Sequence, residues 1–224
     1  MKIKSLKLLT KNIRAQKAFY IHQLGAELID ENKTSFQIRV GRTELTFCQS
    51  ENAHPYHAAF NVPSNHSRLL VPWLKKKNIA VQPLHNEELV DFRNWNAHSV
   101  YFYDADQNIM EFIARHDLAS SSSSVFDAAQ WLSVSEIGMP VRRIEQCASQ
   151  LSREIGFPVY DAVGDSFLAL GDPEGLLIVI DSEKKHWLPN GDAALPADFS
   201  AIIEQNGKSF QLDFRNGTLH TDAM

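Results

Sequence analysis

Cysteine is nearly absent from this chain. Its 224 residues hold two, Cys48 and Cys147, far apart and outside any Cys-x-x-Cys spacing. That argues against a disulfide scaffold and for a reducing, cytoplasmic compartment, with both thiols as buried structural groups. Long apolar runs are also missing: none approaches the roughly 18 residues of a membrane span. The N-terminal MKIKSLKLLTKN is basic but lacks the continuous apolar core and cleavage site of a signal peptide. An excess of basic charge is missing too. Lys and Arg number 22 against 27 Asp and Glu, a net charge of -5 with pI near 6.0. Nucleic acid and anionic membranes are therefore poor candidates for the main partner. A small-molecule ligand or substrate fits better, on a monomer or homodimer.

What remains is an ordinary globular composition, 44% hydrophobic and 22% charged, enough for one large domain or two small ones. The clearest shift is the serine run ASSSSSVFDAA (Ala119 to Ala129), which reads as a linker. It divides the chain into a first domain, 1–117, a linker, 118–130, and a second domain, 131–224.

The first domain reads as two similar units. In the first, an apolar strand over Ile3 to Leu9 precedes the helical stretch IRAQKAFYIHQL, with Asn12 as N-cap and Gly25 as C-cap. The strands AELID, SFQIRVG and TELTFCQ follow. The second unit repeats the order: YHAAFNV, a helix over Ser67 to Lys77, then NIAVQ, HSVYFYD and NIMEFIAR. Pro72 should delay or kink that helix. The long insertion PLHNEELVDFRNWN, with Trp95, is placed to cover a site.

After the linker the pattern restarts. LSVSEIGMPV, RRIEQCASQLSREIG, SFLALGD and GLLIVID make a third unit. FSAIIEQNGKSFQLDFRNGTLH carries two Asn-Gly hairpin signals and no room for a helix, so it reads as a partial fourth. Repeated units that each expose an apolar sheet face must pair to bury it. The expected class is α+β: βαβββ repeats in curved, mixed, mostly antiparallel sheets with helices outside.

One residue breaks the apolar pattern of its strand. Glu111 stands inside IMEFIA, and alternation puts it on one face with Ile109 and Ile113. Likewise His57 shares a face with Ala59 and Asn61. A buried carboxylate must be protonated, paired or metal-bound. Pairing with Arg39, Arg93 or Arg115 would serve, and His57 can equally be a hydrogen-bonded core histidine. Imidazole plus carboxylate also suits Zn²⁺, Fe²⁺, Mn²⁺ or Ni²⁺. His54 with His57 makes a weak His-x-x-His, and His98 could add a nitrogen. Tyr101, Phe102 and Tyr103 read as sheet packing, and Lys75 to Lys77 as a solvated helix end.

Three stretches resemble the vicinal-oxygen-chelate superfamily of glyoxalase I, extradiol dioxygenases and bleomycin-resistance proteins. They are TKNIRAQKAFYIHQLGAELI, YHAAFNVP and VYFYDADQNIMEF. The likeness covers residues 3–115 well and the rest more weakly. It implies paired units curled into a cup, with metal ligands on the first and last strands of each unit. On this chain those positions are His57 and Glu111, with Glu44 in TELTF as a third. Ser5 departs from the histidine expected in the first strand, and Ala105 and Gln107 from the proline and glycine of the turn. Glu136 occupies the position of Ser5 in the third unit, whose last strand shows no ligand, so that half is expected to lack a metal site. The resemblance implies a metal-dependent enzyme acting on a small oxygen-bearing molecule, by lysis, isomerisation or ring cleavage. The alternative is a non-catalytic binding protein of the drug-sequestering kind.

Overall fold

The computed structural model describes residues 1–224. The first unit forms β1 (Lys2–Thr10), α1 (Ile13–Lys17), β2 (Glu27–Glu31), β3 (Ser35–Val40) and β4 (Thr43–Gln49). Asn12 Oδ1 accepts the Ala15 N–H at 3.1 Å, the cap the sequence suggests. The helix then widens into a π-helical coil over Ala18–Leu24 and stops at Gly25, whose φ of 89° is left-handed.

The second unit forms β5 (His57–Val62), α2 (Ser67–Lys76), β6 (Val81–Gln82), β7 (Val90–Phe92), β8 (Ala97–Tyr103) and β9 (Ile109–Arg115). Helix α2 starts at Ser67 and runs through Pro72, so the delayed start is not observed. The carbonyl that Pro72 leaves free belongs to exposed Arg68, where water can satisfy it. The third unit forms β10 (Ser133–Val141), α3 (Ile144–Glu154), β11 (Val159–Val163), β12 (Phe167–Asp172) and β13 (Gly175–Asp181). The last segment is β14 (Phe199–Gln205), β15 (Lys208–Arg215) and β16 (Thr218–Ala223). Both of its Asn-Gly turns place two residues at positive φ, 53° and 73° then 50° and 77°, as type I′ hairpins require.

The units do not pair in chain order. One sheet has nine strands, β11-β12-β13-β10-β5-β9-β8-β6 with β7 on β8, and joins the second unit to the third. The other has seven, β16-β15-β14-β1-β4-β3-β2, and joins the first unit to the last segment. The expectation of a cup closed within residues 1–117 is therefore corrected, and residues 131–224 contribute to both sheets.

The strand patterns supply the reason. HAAFNV, IMEFIAR, SVSEIGMPV and GLLIVID are nearly continuous apolar runs, buried at every position, and they form the centre of the nine-stranded sheet. KIKSLKLLT and TELTFCQ alternate, with one face left polar. Strands that need cover on both faces find it in each other's company.

Each sheet gives its convex face to one shared core. Leu6, Leu8, Phe36 and Phe47 come from the seven-stranded sheet, and Phe60, Phe102, Met110 and Phe112 from the other. The helices pack on these same faces, with Phe19 stacked on Phe102 at 6.4 Å. No helix is long and apolar enough to cross a membrane.

The turn DADQN between β8 and β9 locks the two sheets together. Buried Asp104 accepts from Gln16 Nε2 at 2.5 Å, Tyr20 Oη at 3.2 Å, Asn108 Nδ2 and the backbone N–H of Asp106 and Asn108. Burial still pushes its carboxyl up to about 6, against the pull of those donors. Asp106 accepts from the Thr10 hydroxyl and, at 2.8 Å, from the Lys11 N–H. Gln107 stands at φ 63° where glycine would sit without strain.

Candidate metal centre

The faces of β5, β9 and β10 that turn away from the core line a cavity of about 420 Å³. At its floor lie His57, Glu111 and Glu136, each no more than 6% exposed. One ligand atom from each falls within 4.8 Å of the other two. His57 Nε2 is 3.6 Å from Glu111 Oε2 and 3.6 Å from Glu136 Oε2.

Register explains the convergence. β5 pairs with β9 in parallel, with Ala59 beside Glu111, and with β10 antiparallel, with Ala59 opposite Glu136. Each unit's central ladder ends at a matching pair, Thr10–Gln49, Val62–Ala114 and Val141–Asp181. Counted back from those ends, Ser5, His57 and Glu136 are equivalent, and so are Thr46, Glu111 and Ile178. The cavity thus carries a ligand-type side chain at three of its four positions, with Ile178 at the fourth.

Two of the three residues expected to meet do so. Glu44 does not. It lies in the other sheet, exposed, 3.4 Å from Gln37 Nε2 and beside Ser5, in a polar concavity of its own. Register makes Thr46 rather than Glu44 the first unit's equivalent of Glu111. The third unit, expected to lack a metal site of its own and to pair with or cover the first half, brings Glu136 into the second unit's cup. Its signal was visible: a glutamate inside the apolar run SVSEIGMPV, as Glu111 is inside IMEFIA.

His98 turns away from the cavity and faces His116, Nδ1 to Nε2 at 2.8 Å. Tyr101, Phe102 and Tyr103 all pack as expected, Phe102 in the shared core and Tyr101 and Tyr103 in a second apolar cluster, and Tyr101 also lines the cavity. Tyr103 donates to Asp192 at 2.5 Å.

Electrostatics make the cluster tense. Burial first, and then the charge of Glu136, push the Glu111 carboxyl up to about 7, while His57 pulls it down. Burial lowers His57, but hydrogen bonding to Glu136 and the fields of both carboxylates outweigh it, and its pKa ends raised. His57 Nδ1 sits 3.3 Å from the Ile109 carbonyl, which can only accept. Neutral His57 therefore carries its proton on Nδ1 and offers the Nε2 lone pair to the carboxylates' side. Arg115, 1% exposed, donates from Nη2 to Glu136 Oε1. The arginine considered as a partner for Glu111 thus serves Glu136. Its guanidinium lies over Trp95 at 5.2 Å and Tyr160 at 5.8 Å.

The cavity walls come from both units and the segment after β13. Trp95, on the insertion, donates Nε1–H to Asp161 at 2.7 Å and so bridges the second unit to the third. Trp187 packs 5.3 Å from the His57 ring. Gly138 makes room for it, because a Cβ there would come within 2.7 Å of the indole.

The fold is found among solved structures. A candidate dioxygenase from Bacillus subtilis subsp. subtilis str. 168 matches all of this chain and 84% of its own length, with a TM-score of 0.66 at 14% identity. A lactoylglutathione lyase from Agrobacterium tumefaciens matches 50% of this chain and 91% of its own, with a TM-score of 0.43 at 18% identity. The fosfomycin resistance protein FosX from Listeria monocytogenes, complexed with manganese(II) and sulfate, matches 49% of this chain and 86% of its own, with a TM-score of 0.39 at 20% identity. No family model matches the sequence, and no curated protein is significantly similar to it.

The donor set fits a divalent cation. One neutral imidazole and two carboxylates suit Mn²⁺, Fe²⁺ or Zn²⁺, and a dication would offset both the burial and the Glu136 repulsion that raise the Glu111 carboxyl.

Proposed function

We propose that this protein is a metal-dependent enzyme acting on a small oxygen-bearing molecule in the cavity of the nine-stranded sheet. His57, Glu111 and Glu136 hold the metal. The observation that carries this reading is the convergence of three buried ligand-type side chains, from three strands of two units, at the floor of a cavity of small-molecule size. When bound, such a metal supplies a Lewis acid that polarises two neighbouring oxygens of a ligand.

The chain's own groups have separable tasks. The Ile109 carbonyl fixes the His57 tautomer, and Arg115 orients Glu136 through Oε1 while leaving Oε2 toward His57. Tyr101 is held protonated by burial and by the two glutamates, so its hydroxyl is a hydrogen-bond donor at the cavity wall. Trp95, Phe167 and Trp187 exclude water and give a ligand apolar surface.

The decisive experiment is elemental analysis of tag-free protein purified without chelator, set beside Glu111→Gln. Near-stoichiometric metal in the wild type that vanishes in the variant is the expected result. Wild-type protein that takes up no Mn²⁺, Zn²⁺, Ni²⁺ or anaerobic Fe²⁺ would sink the reading and leave the cavity as a non-catalytic ligand-binding site. Half of its 18 lining residues are hydrophobic, and that apolar lining would serve such a site equally.

A further inference from the structure

The polar groups around the cavity are unevenly matched. Among the cations that line it, Arg93 is paired with Asp91 at 3.1 Å, whereas Lys185 has no carboxylate partner. Lys185 Nζ rests over the Phe167 ring at 5.2 Å. The lining acids that could have paired with it are engaged, Asp91 by Arg93 and Asp161 by the Trp95 indole N–H. Two residues along the same segment, Trp187 also lines the cavity, and its buried Nε1–H has no acceptor. Behind Glu136, Arg115 leaves Nε and Nη1 without acceptors as well. Those N–H groups are buried in the wall, which leaves Lys185 as a lining lysine with no anionic partner.

We infer that Lys185 selects the ligand of this cavity and that the ligand is an anion: a flat, largely apolar small molecule bearing a carboxylate or similar acid group besides the oxygens that meet the metal cluster. This rests on the metal-site reading and adds the charge of the molecule to it. Lys185 acts on binding through its charge. The five aromatic rings that line the cavity, Phe92, Trp95, Tyr101, Phe167 and Trp187, account for the flat body.

The test uses two probes of one shape. A benzohydroxamate binds many divalent metals through two adjacent oxygens. It is prepared with a para carboxylate and, separately, with an uncharged para carboxamide. Binding to the metal-loaded full chain is followed by tryptophan fluorescence. The wild type should prefer the carboxylate by about 5- to 10-fold, with the preference shrinking as salt rises. Lys185→Met should erase the preference and Lys185→Glu reverse it, both with metal content unchanged. Equal affinity for the two probes in the wild type, or a preference that survives in Lys185→Glu, overturns the inference and leaves the metal reading standing. Failure of the metal reading appears separately, as binding of both probes that Glu111→Gln does not weaken. No binding of either probe to metal-loaded protein overturns the inference too.

Discussion

The two concavities of this molecule are built from the same repeat and have opposite characters. In the nine-stranded sheet the central strands are buried on both faces, and their polar exceptions, His57, Glu111 and Glu136, meet at the floor of a cavity closed by segments from both units. In the seven-stranded sheet the equivalent positions hold Ser5 and Thr46, and the concavity is polar, edged by Lys7, Gln37 and Glu44. The second unit carries an insertion between its helix and β8, while the first goes through β2 and β3 without one. The nine-stranded sheet thus combines ligand-type residues at first- and last-strand positions with extra chain that walls them. The seven-stranded sheet has neither, and its work is to cover the back of the other.

The sharpest way to break this contrast is a matched pair of charge-neutral substitutions. Glu136→Gln should cost the protein its stoichiometric metal, whereas Glu44→Gln should leave metal content unchanged and shift stability by less than about 0.5 kcal/mol. Metal analysis and urea denaturation of both would show it, and loss of metal in Glu44→Gln would return that residue to the site.

Arg115→Met comes next. It strands Glu136 as a buried, unneutralised charge, so metal-free protein should lose about 3–5 kcal/mol. Added Mn²⁺ or Zn²⁺ should restore a large part of that, read as a thermal shift in the variant well above the wild type's.

Asp104→Asn tests the lock between the sheets. It replaces an acceptor of several hydrogen bonds by a group that is partly a donor, and should cost about 2–4 kcal/mol. An unchanged denaturation midpoint would mean the turn is not what holds them together.

The smallest effect expected is one of pH. Glu111 is held near 7 and the His57 pKa is raised, so both release protons when a cation binds. Metal affinity should therefore fall as pH drops below about 7, by roughly tenfold per unit for each proton released, and level off above it. Affinity independent of pH between 5 and 8 would contradict the buried, coupled state of the cluster.

Much of this was legible in the sequence. Strand and helix order, the Asn12 and Gly25 caps and the two Asn-Gly hairpins all follow from local chemistry, which a single sequence carries in full. His57 and Glu111 were visible as polar residues inside apolar runs. The pairing of units was harder, because it depends on comparing strands far apart. Only when HAAFNV and SVSEIGMPV are both seen to need cover on two faces does the partnership of second and third units emerge, and with it Glu136. Reading adjacent units as partners placed Glu44 in a cup it does not share. Arg115 was legible as a candidate carboxylate partner but not as the partner of Glu136, and Trp187 became a candidate only through its three-dimensional neighbours.

The nested pairing also bears on how the chain is made. β1 lies against β14, with Leu8 opposite Phe199, so one edge of that early strand waits for a partner nearly the whole length of the chain away. At the roughly 5–20 residues per second of synthesis, the delay is on the order of ten to forty seconds. During that time an apolar strand with an open edge is exposed to other nascent chains. The inner sheet, whose two units are consecutive, can close first and present the surface on which the outer pair assembles. Synthesis order would then favour completion of the cavity before completion of the fold.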